Sequence, residues 1–295
     1  MATHPFRIVN VFTQGQDPYT GNPLCVFENG ENLSSEDMQA LARQFNLSET
    51  TFILPSTRAN ARVRIFTPAY EMAFAGHPTL GTAHVCRALK LGGDSLVLEM
   101  QAGLVPVRAA GDRWTLTALG AATRELDVPR ATLAAALGLN EPDIGERPLW
   151  VKAGKEQLVV PLMSIEAVRR ALPEASAMTK IRSEEGLSMA YIFGIGTESR
   201  GGEVGGSVET ARIPALGRFF FPVGGAILED PATGSATANF GAWHLAMQRS
   251  LPVQLQISQG EYVGRPSTLF LDVNRERQVF VGGDVLEIGR GTITL

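Results

Sequence analysis

Cysteine is scarce in this chain: only Cys25 and Cys86 occur in 295 residues, at no paired C-x-x-C spacing. A disulfide framework is therefore excluded as the organising principle. Met1 to Asn10 shows no charged and then apolar leader pattern, so a reducing cytoplasm is the expected compartment. Charge of one sign is missing as well. Lys plus Arg number 26 against 30 Asp plus Glu, a net charge of −4 with no basic block. That removes the electrostatic footprint of a nucleic-acid partner. With 44% hydrophobic and 19% charged residues and no long apolar run, the composition fits a soluble globular protein, without a disordered tail or a membrane span.

The common catalytic signatures are absent too. No GxGxxG follows a strand and opens a helix, and GxxxxGK[ST], HExxH and GxSxG do not occur. Nucleotide-binding, zinc-protease and serine-hydrolase readings lose their usual support. His4, His77, His84 and His244 never stand at i, i+4 on one helix face, so no metal site is expected.

What is present is an internal repeat. Arg64-Ile65-Phe66-Thr67-Pro68 leads into Gly76-His77-Pro78-Thr79-Leu80-Gly81-Thr82-Ala83, and Arg218-Phe219-Phe220-Phe221-Pro222 leads into Glu229-Asp230-Pro231-Ala232-Thr233-Gly234-Ser235-Ala236. Both read R-x-F-x-P and then P-x-x-G-[TS]-A, at an offset of 154 residues from Arg64 to Arg218 and 153 from Gly81 to Gly234. Upstream, a strand at Leu24 to Phe27 and a helix from Ser35 resemble a strand at Gln157 to Pro161 and a helix from Ser164. Apolar stretches at Phe52 to Leu54 and Tyr191 to Phe193 follow in each half. The expected domains are residues 1–118 and 119–295, with the boundary in Ala118 to Pro129. The glycine-rich Glu198 to Ser207 reads as a mobile loop.

Local patterns assign the elements. Ser34-Ser35-Glu36-Asp37 opens a helix in capping-box style, and Met38, Leu41, Ala42 and Phe45 then form one apolar stripe. Arg62 to Phe66 alternates as a half-buried strand does, and Leu96 to Met100, Trp114 to Ala118 and Thr268 to Val273 are further strand candidates. Pro78 to Lys90 and Pro231 to Met247 differ, because Ala, Gly and Thr surround their apolar residues on every side. That composition suits a helix enclosed by its neighbours, so each half is expected to wrap a curved sheet around one.

The starts of those helices are the candidate chemical site. His77-Pro78 and Asp230-Pro231 both read as a polar cap followed by proline at the first helical position. Free backbone N–H groups and a partial positive charge at such starts suit a carboxylate, and Gly76 and Gly234 would allow close backbone approach. Singly, each residue has an ordinary reading, Asp as a cap and His as a surface or core residue; their apparent equivalence in the repeat favours a shared role. Glu49, between the capped helix and the strand Phe52 to Leu54, is the third candidate, though a glutamate at such a junction is commonly just solvated.

Gly21-Asn22-Pro23, Leu47-Ser48-Glu49-Thr50, Phe74-Ala75-Gly76-His77-Pro78-Thr79 and Glu229-Asp230-Pro231-Ala232-Thr233-Gly234-Ser235-Ala236 together resemble the phenazine-biosynthesis PhzF-like isomerase family over nearly the whole chain. The resemblance implies the diaminopimelate-epimerase-like α+β fold: two pseudo-symmetric domains, each a barrel-like sheet around a central helix, with a cleft between them. The final strands after Val279 can return to the first domain, as in similar proteins. It further implies a cofactor-independent isomerase with Glu49 as general acid/base, His77 and Asp230 assisting, and Gly76, Gly234 and Ser235 helping to bind a small carboxylic acid. A homodimer is implied in the same way.

Two other readings stay open. A racemase or epimerase could use Glu49 and Asp230 as non-thiol bases; the thiol version is disfavoured because neither helix-start motif contains cysteine. A small-acid binding protein without turnover is the non-enzymatic alternative.

Overall fold

A computed structural model of the protein describes residues 1–118, 120–197 and 212–295. The stretch 198–207, expected as a loop, lies outside the described residues. The chain forms two compact units. One comprises Met1–Thr117, Arg265–Thr268 and Val281–Leu295, the other Ala118–Gly264 and Leu269–Phe280.

In chain order the first elements are β1 (Thr3–Val11), β2 (Asn22–Phe27), α1 (Ser35–Phe45), β3 (Glu49–Leu54), β4 (Ala61–Phe66), β5 (Glu71–Met72), α2 (Gly76–Ala88), β6 (Ser95–Met100), β7 (Gly103–Ala110) and β8 (Arg113–Thr117). Then come β9 (Ala122–Glu125), α3 (Arg130–Ala136), β10 (Leu149–Lys152), β11 (Glu156–Pro161), α4 (Ile165–Arg170), α5 (Ala175–Met178), β12 (Ala190–Ile195), β13 (Ile213–Val223), β14 (Ala226–Asp230), α6 (Gly234–Ala246), β15 (Val253–Gln259), β16 (Ser267–Val273) and β17 (Val279–Thr294).

The first unit is a closed eight-strand barrel. Its circuit runs β17, β1, β2, β3, β4, β6, β7, β8 and back to β17. β2–β3 and β4–β6 pair in parallel, as they must where a helix fills the crossover between strands. α1 fills the first crossover. Ser34 accepts from Asp37 N–H at 3.0 Å while Asp37 accepts from Ser34 N–H at 3.2 Å, the reciprocal box its sequence suggests. Its buried Met38, Leu41 and Ala42 pack with Phe27, Phe52 and Phe66. α2 fills the second crossover with 10 of its 13 residues buried. A Cβ on Gly81 would stand 2.6 Å from a Leu24 methyl and 2.9 Å from one of Val11, so the helix lies directly against the barrel wall.

The second unit repeats this topology. β10–β11 is antiparallel, β11–β12 parallel, β12–β13 and β13–β14 antiparallel, and β13–β15 parallel. The corresponding pairs in the first unit are β1–β2, β2–β3, β3–β4, β4–β5 and β4–β6, in the same senses. α6 stands where α2 stands, again with 10 of 13 residues buried, and a Cβ on its Gly241 would meet Val279 at 2.5 Å.

The repeated R-x-F has a physical basis. Arg64 donates Nε and Nη2 to the two carboxylate oxygens of Glu71, both at 2.7 Å, and stacks over Phe66 with its guanidinium carbon 5.0 Å from the ring centre. Arg218 grips Glu229 the same way at 3.1 and 2.8 Å and stacks over Phe220 at 4.8 Å. The arginine ties each strand to the short return strand before the central helix.

That pairing corrects the register read from sequence. Glu229 follows Arg218 by 11 residues, whereas Glu71 follows Arg64 by 7, because β13 and β14 are longer and turn through Gly224 and Gly225, both at positive φ. Beyond the hairpin the offset is 158 residues, matching Gly76 at the start of α2 with Gly234 at the start of α6. His77 therefore corresponds to Ser235, not to Asp230, and Met72 occupies the place of Asp230. Thr79 and Thr237 confirm the shift, each hydroxyl donating to the carbonyl four residues earlier, at 2.6 and 3.2 Å.

The two arginine pairs differ in burial, which sets their energetic weight. The side chains of Arg218 and Glu229 are 7% and 8% exposed, against 19% and 33% for Arg64 and Glu71. Glu229→Ala strands a buried guanidinium and is expected to cost about 3–5 kcal/mol, whereas Glu71→Ala is expected to cost no more than about 1 kcal/mol. Urea unfolding of both variants checks the contrast, and equal losses would contradict it.

Candidate functional site

The sequence-predicted residues fall into one cluster in each unit. In the first, Gly21 sets the geometry. Its φ is +79° and a Cβ would lie 2.6 Å from the Val11 carbonyl oxygen, so only glycine makes this turn. Arg265 donates to the Gly21 and Thr20 carbonyls at 3.0 and 3.2 Å, and the turn delivers buried Asn22 and then Pro23 to the start of β2. Ser48 Oγ donates to Asn22 Oδ1 at 3.4 Å. The parallel ladder places Glu49, first residue of β3, opposite Leu24.

His77 is the second residue of α2, not a cap. The helix begins at Gly76 with Ala75 in the cap position and no side-chain cap. Pro78 is accommodated because N–H groups of the first helical turn have no intrahelical partner in any case. The imidazole is 5% exposed, and its Nδ1 lies 3.2 Å from Glu49 Oε2. Such closeness would make an ion pair if the ring were charged. It is not: burial pushes the His77 pKa down to about 3, against a smaller upward pull from the Pro23 carbonyl that accepts from the ring. Nε2 has no hydrogen-bond partner among the described residues. The ring donor is therefore Nδ1, and in neutral imidazole Nε2 is a bare acceptor. The first cluster thus joins a carboxylate and a neutral imidazole at an uncapped helix start.

In the second unit the expected cap at Asp230 is also replaced. Asp230 is the last residue of β14, opposite Phe219, and α6 begins only at Gly234 with Thr233 in the cap position and no side-chain cap. Pro231 cannot continue the ladder, so Pro231–Thr233 form a connector outside the helix. The Thr233 hydroxyl donates to Asp230 Oδ2. Fully buried Gln259 fixes that direction: its Oε1 accepts from Thr233 N–H at 3.4 Å, and its Nε2 donates to Thr233 Oγ1 at 3.0 Å and to the Asp230 carbonyl at 2.9 Å. Ser235 Oγ accepts from Gln157 Nε2 at 3.1 Å. Gln157 in turn accepts from Asn239 at 2.8 Å.

The structure thus brings Glu49, Gly76 and His77 together in one unit and Asp230, Gly234 and Ser235 together in the other. The sequence reading missed Thr233, Gln157, Asn239 and Gln259 as supports of the second cluster. A single glutamine in a strand leaves no periodic or motif signal, so only the placed hydrogen bonds reveal it. No group of three or more His, Cys, Asp or Glu gathers as a metal site among the described residues, and none of their helices is long and apolar enough to cross a membrane. A cavity of about 350 Å³ in the second unit, lined by Leu162, Phe193, Trp243 and Arg249 among others, contains none of these site residues.

A family model described as phenazine biosynthesis-like protein, PhzC-PhzF, matches residues 9–287. An uncharacterized isomerase of Pasteurella multocida is 33% identical over 299 residues, covering 99% of this chain and 95% of that protein. The trans-2,3-dihydro-3-hydroxyanthranilate isomerase of Pseudomonas aeruginosa is 34% identical over 278 residues, 90% of this chain and 89% of that one. The crystal structure of a PhzF-family phenazine biosynthesis protein from Bacillus anthracis shares the fold, with a TM-score of 0.83 at 23% identity over the whole of both chains. With the family model covering nearly all of the sequence and relatives of this extent named as isomerases, the chain belongs to the PhzC-PhzF family and is an isomerase acting on a small molecule.

Proposed function

We propose that this isomerase moves a proton between two carbons of a small carboxylic acid, with Glu49 as the proton carrier. The contact between Glu49 and neutral His77 at the start of α2 carries the reading. In the forward step the Glu49 carboxylate takes a proton from carbon, the electron pair moves through the conjugated system, and the same carboxyl returns the proton to a second carbon. No electron is gained or lost and no other reactant is consumed, so a cofactor has no task in the step. The His77 Nε2, a bare acceptor, suits a hydrogen bond from a donor group of the substrate. First-turn N–H groups of an uncapped helix suit its carboxylate and the negative charge that develops during transfer. Asp230 is assigned an assisting role, and Gly76, Gly234 and Ser235 are assigned to substrate binding.

The asymmetry of the two clusters favours this reading over a racemase with repeat-equivalent bases; a racemase pairing Glu49 with Asp230 is decided by the stereochemical outcome below. Ala190 opens β12 opposite Leu158 where Glu49 opens β3 opposite Leu24, and Ser235 holds the place of His77. A racemase working from mirror-image bases would need a titrating group in each place.

The relatives named as trans-2,3-dihydro-3-hydroxyanthranilate isomerases make that acid the first test compound in a panel of small unsaturated acids. Incubated in deuterated water, the wild-type protein is expected to shift a double bond with deuterium appearing at the receiving carbon, read by NMR. Glu49→Gln is expected to slow this by about 100- to 10,000-fold while calorimetry still detects binding. Turnover unchanged in Glu49→Gln would overturn the role. Interconversion of stereoisomers without a double-bond shift would favour the racemase, and binding without exchange across the panel a silent binding protein.

The state of His77 is open to direct measurement. Its folded pKa lies below the ordinary 6.5, so the unfolded chain binds the proton first. The stability linked to the neutral ring is present above about pH 6.5 and is lost as pH falls from there toward 3. The His77 ring signals in NMR are expected to hold the neutral shift from pH 8 to pH 5, and a midpoint close to the ordinary value would contradict the neutral assignment.

A further inference from the structure

The geometry points to Gln157 as a positioning residue that commits the Ser235 hydroxyl proton to an anionic group of the substrate. This rests on the substrate-binding role assigned to Ser235 above. The polarity of the chain follows from a group that cannot reverse. Ala153 N–H can only donate, and it donates to Asn239 Oδ1 at 2.8 Å. The Asn239 amide nitrogen must then face the other way, where it donates to Gln157 Oε1 at 2.8 Å and to the Lys155 carbonyl at 3.2 Å. That in turn directs the Gln157 nitrogen at Ser235, with Nε2 to Oγ at 3.1 Å. Having accepted from Gln157, the serine oxygen cannot place its own proton on that line, so the proton is aimed elsewhere.

Burial makes the relay rigid. Asn239 is 1% and Gln157 2% exposed, so water does not compete for their amides, and reversing either would leave two donors or two acceptors face to face in a buried setting. Gln157 belongs to β11 and Asn239 to the second turn of α6, so the orientation is built into the contact between strand and central helix. Ser235 is the second residue of that helix. A hydroxyl committed as donor beside first-turn N–H groups favours a carboxylate over an ammonium group, which would bring only further donors. Relay and helix start thus select for the same charge, and Gln157 exerts its share through Ser235 alone.

A thermodynamic cycle isolates that path. The probe is trans-2,3-dihydro-3-hydroxyanthranilate, with its dissociation constant measured by calorimetry in the Glu49→Gln background, which binds without turnover, on that protein alone and with Gln157→Met, Ser235→Ala or both added. Gln157→Met is expected to weaken binding about 10-fold, the factor of one ordinary hydrogen bond, and to have no further effect once Ser235 is alanine. Equal loss in both backgrounds would overturn the proposal, because a purely structural role does not depend on the serine hydroxyl. Neutron diffraction from substrate-free, deuterated wild-type crystals reads the same claim without any ligand. It is expected to show a Gln157 deuteron on the line to Ser235 Oγ and the serine deuteron off it; a serine deuteron pointing at Gln157 would overturn the proposal. Failure of the probe to bind the Glu49→Gln protein would count against the proposed substrate, while the neutron map still decides the role of Gln157.

Discussion

A helix buried on every side has no solvated face on which to satisfy the backbone groups of its first turn, and the proposed chemistry depends on that constraint. α2 and α6 are held by strands along their lengths, and each begins without a side-chain cap. A cap residue would have removed donors and partial positive charge from the helix start. Small residues make the enclosure possible. Gly81 touches Leu24 and Val11, and Gly241 touches Val279 and Leu271, at distances that leave no room for a methyl group. The sheet in turn needs its parallel crossovers to admit a helix, and the R-x-F arginines fasten the return strands that feed it.

From one common plan the two units have become chemically different. The first places a carboxylate beside an imidazole that burial keeps neutral, and this suits a group that must give and take a proton at carbon. The second surrounds its helix start with hydroxyls and amides whose hydrogen-bond directions are fixed, beside the Asp230 carboxylate that accepts from Thr233, and this suits recognition. Neutral His77 matters to the proposed role because a charged ring would hold the Glu49 carboxylate, 3.2 Å away, in an ion pair.

Much of the fold was legible in the sequence because it rests on periodic burial. The stripe of Met38, Leu41 and Ala42, the all-round packing of the central helices and the order of elements in the two halves all leave patterns at fixed spacing. The register of the repeat did not. The P-x-x-G match set Gly81 against Gly234, and only the ion pairs Arg64–Glu71 and Arg218–Glu229 reveal that the longer second hairpin moves the frame, so that His77 answers to Ser235. Glu49, a lone glutamate at a strand start, stood out through family resemblance and not through any local pattern. Gln157, Asn239 and Gln259 were invisible for a related reason: a buried amide is functional only through partners far away in sequence, such as Gln157 with Ser235, 78 residues on.

The claim that one carboxyl carries the proton from carbon to carbon is tested most directly by the fate of the proton itself. Substrate deuterated at the carbon that loses its hydrogen would be converted in ordinary water in a single turnover, and the product examined by mass spectrometry and NMR. The account predicts that part of the deuterium reappears at the receiving carbon, carried there by Glu49 before it exchanges with solvent. Deuterium delivered to that carbon just as well by Glu49→Gln, which has no carboxyl to carry it, would contradict the account and would assign the transfer to another group.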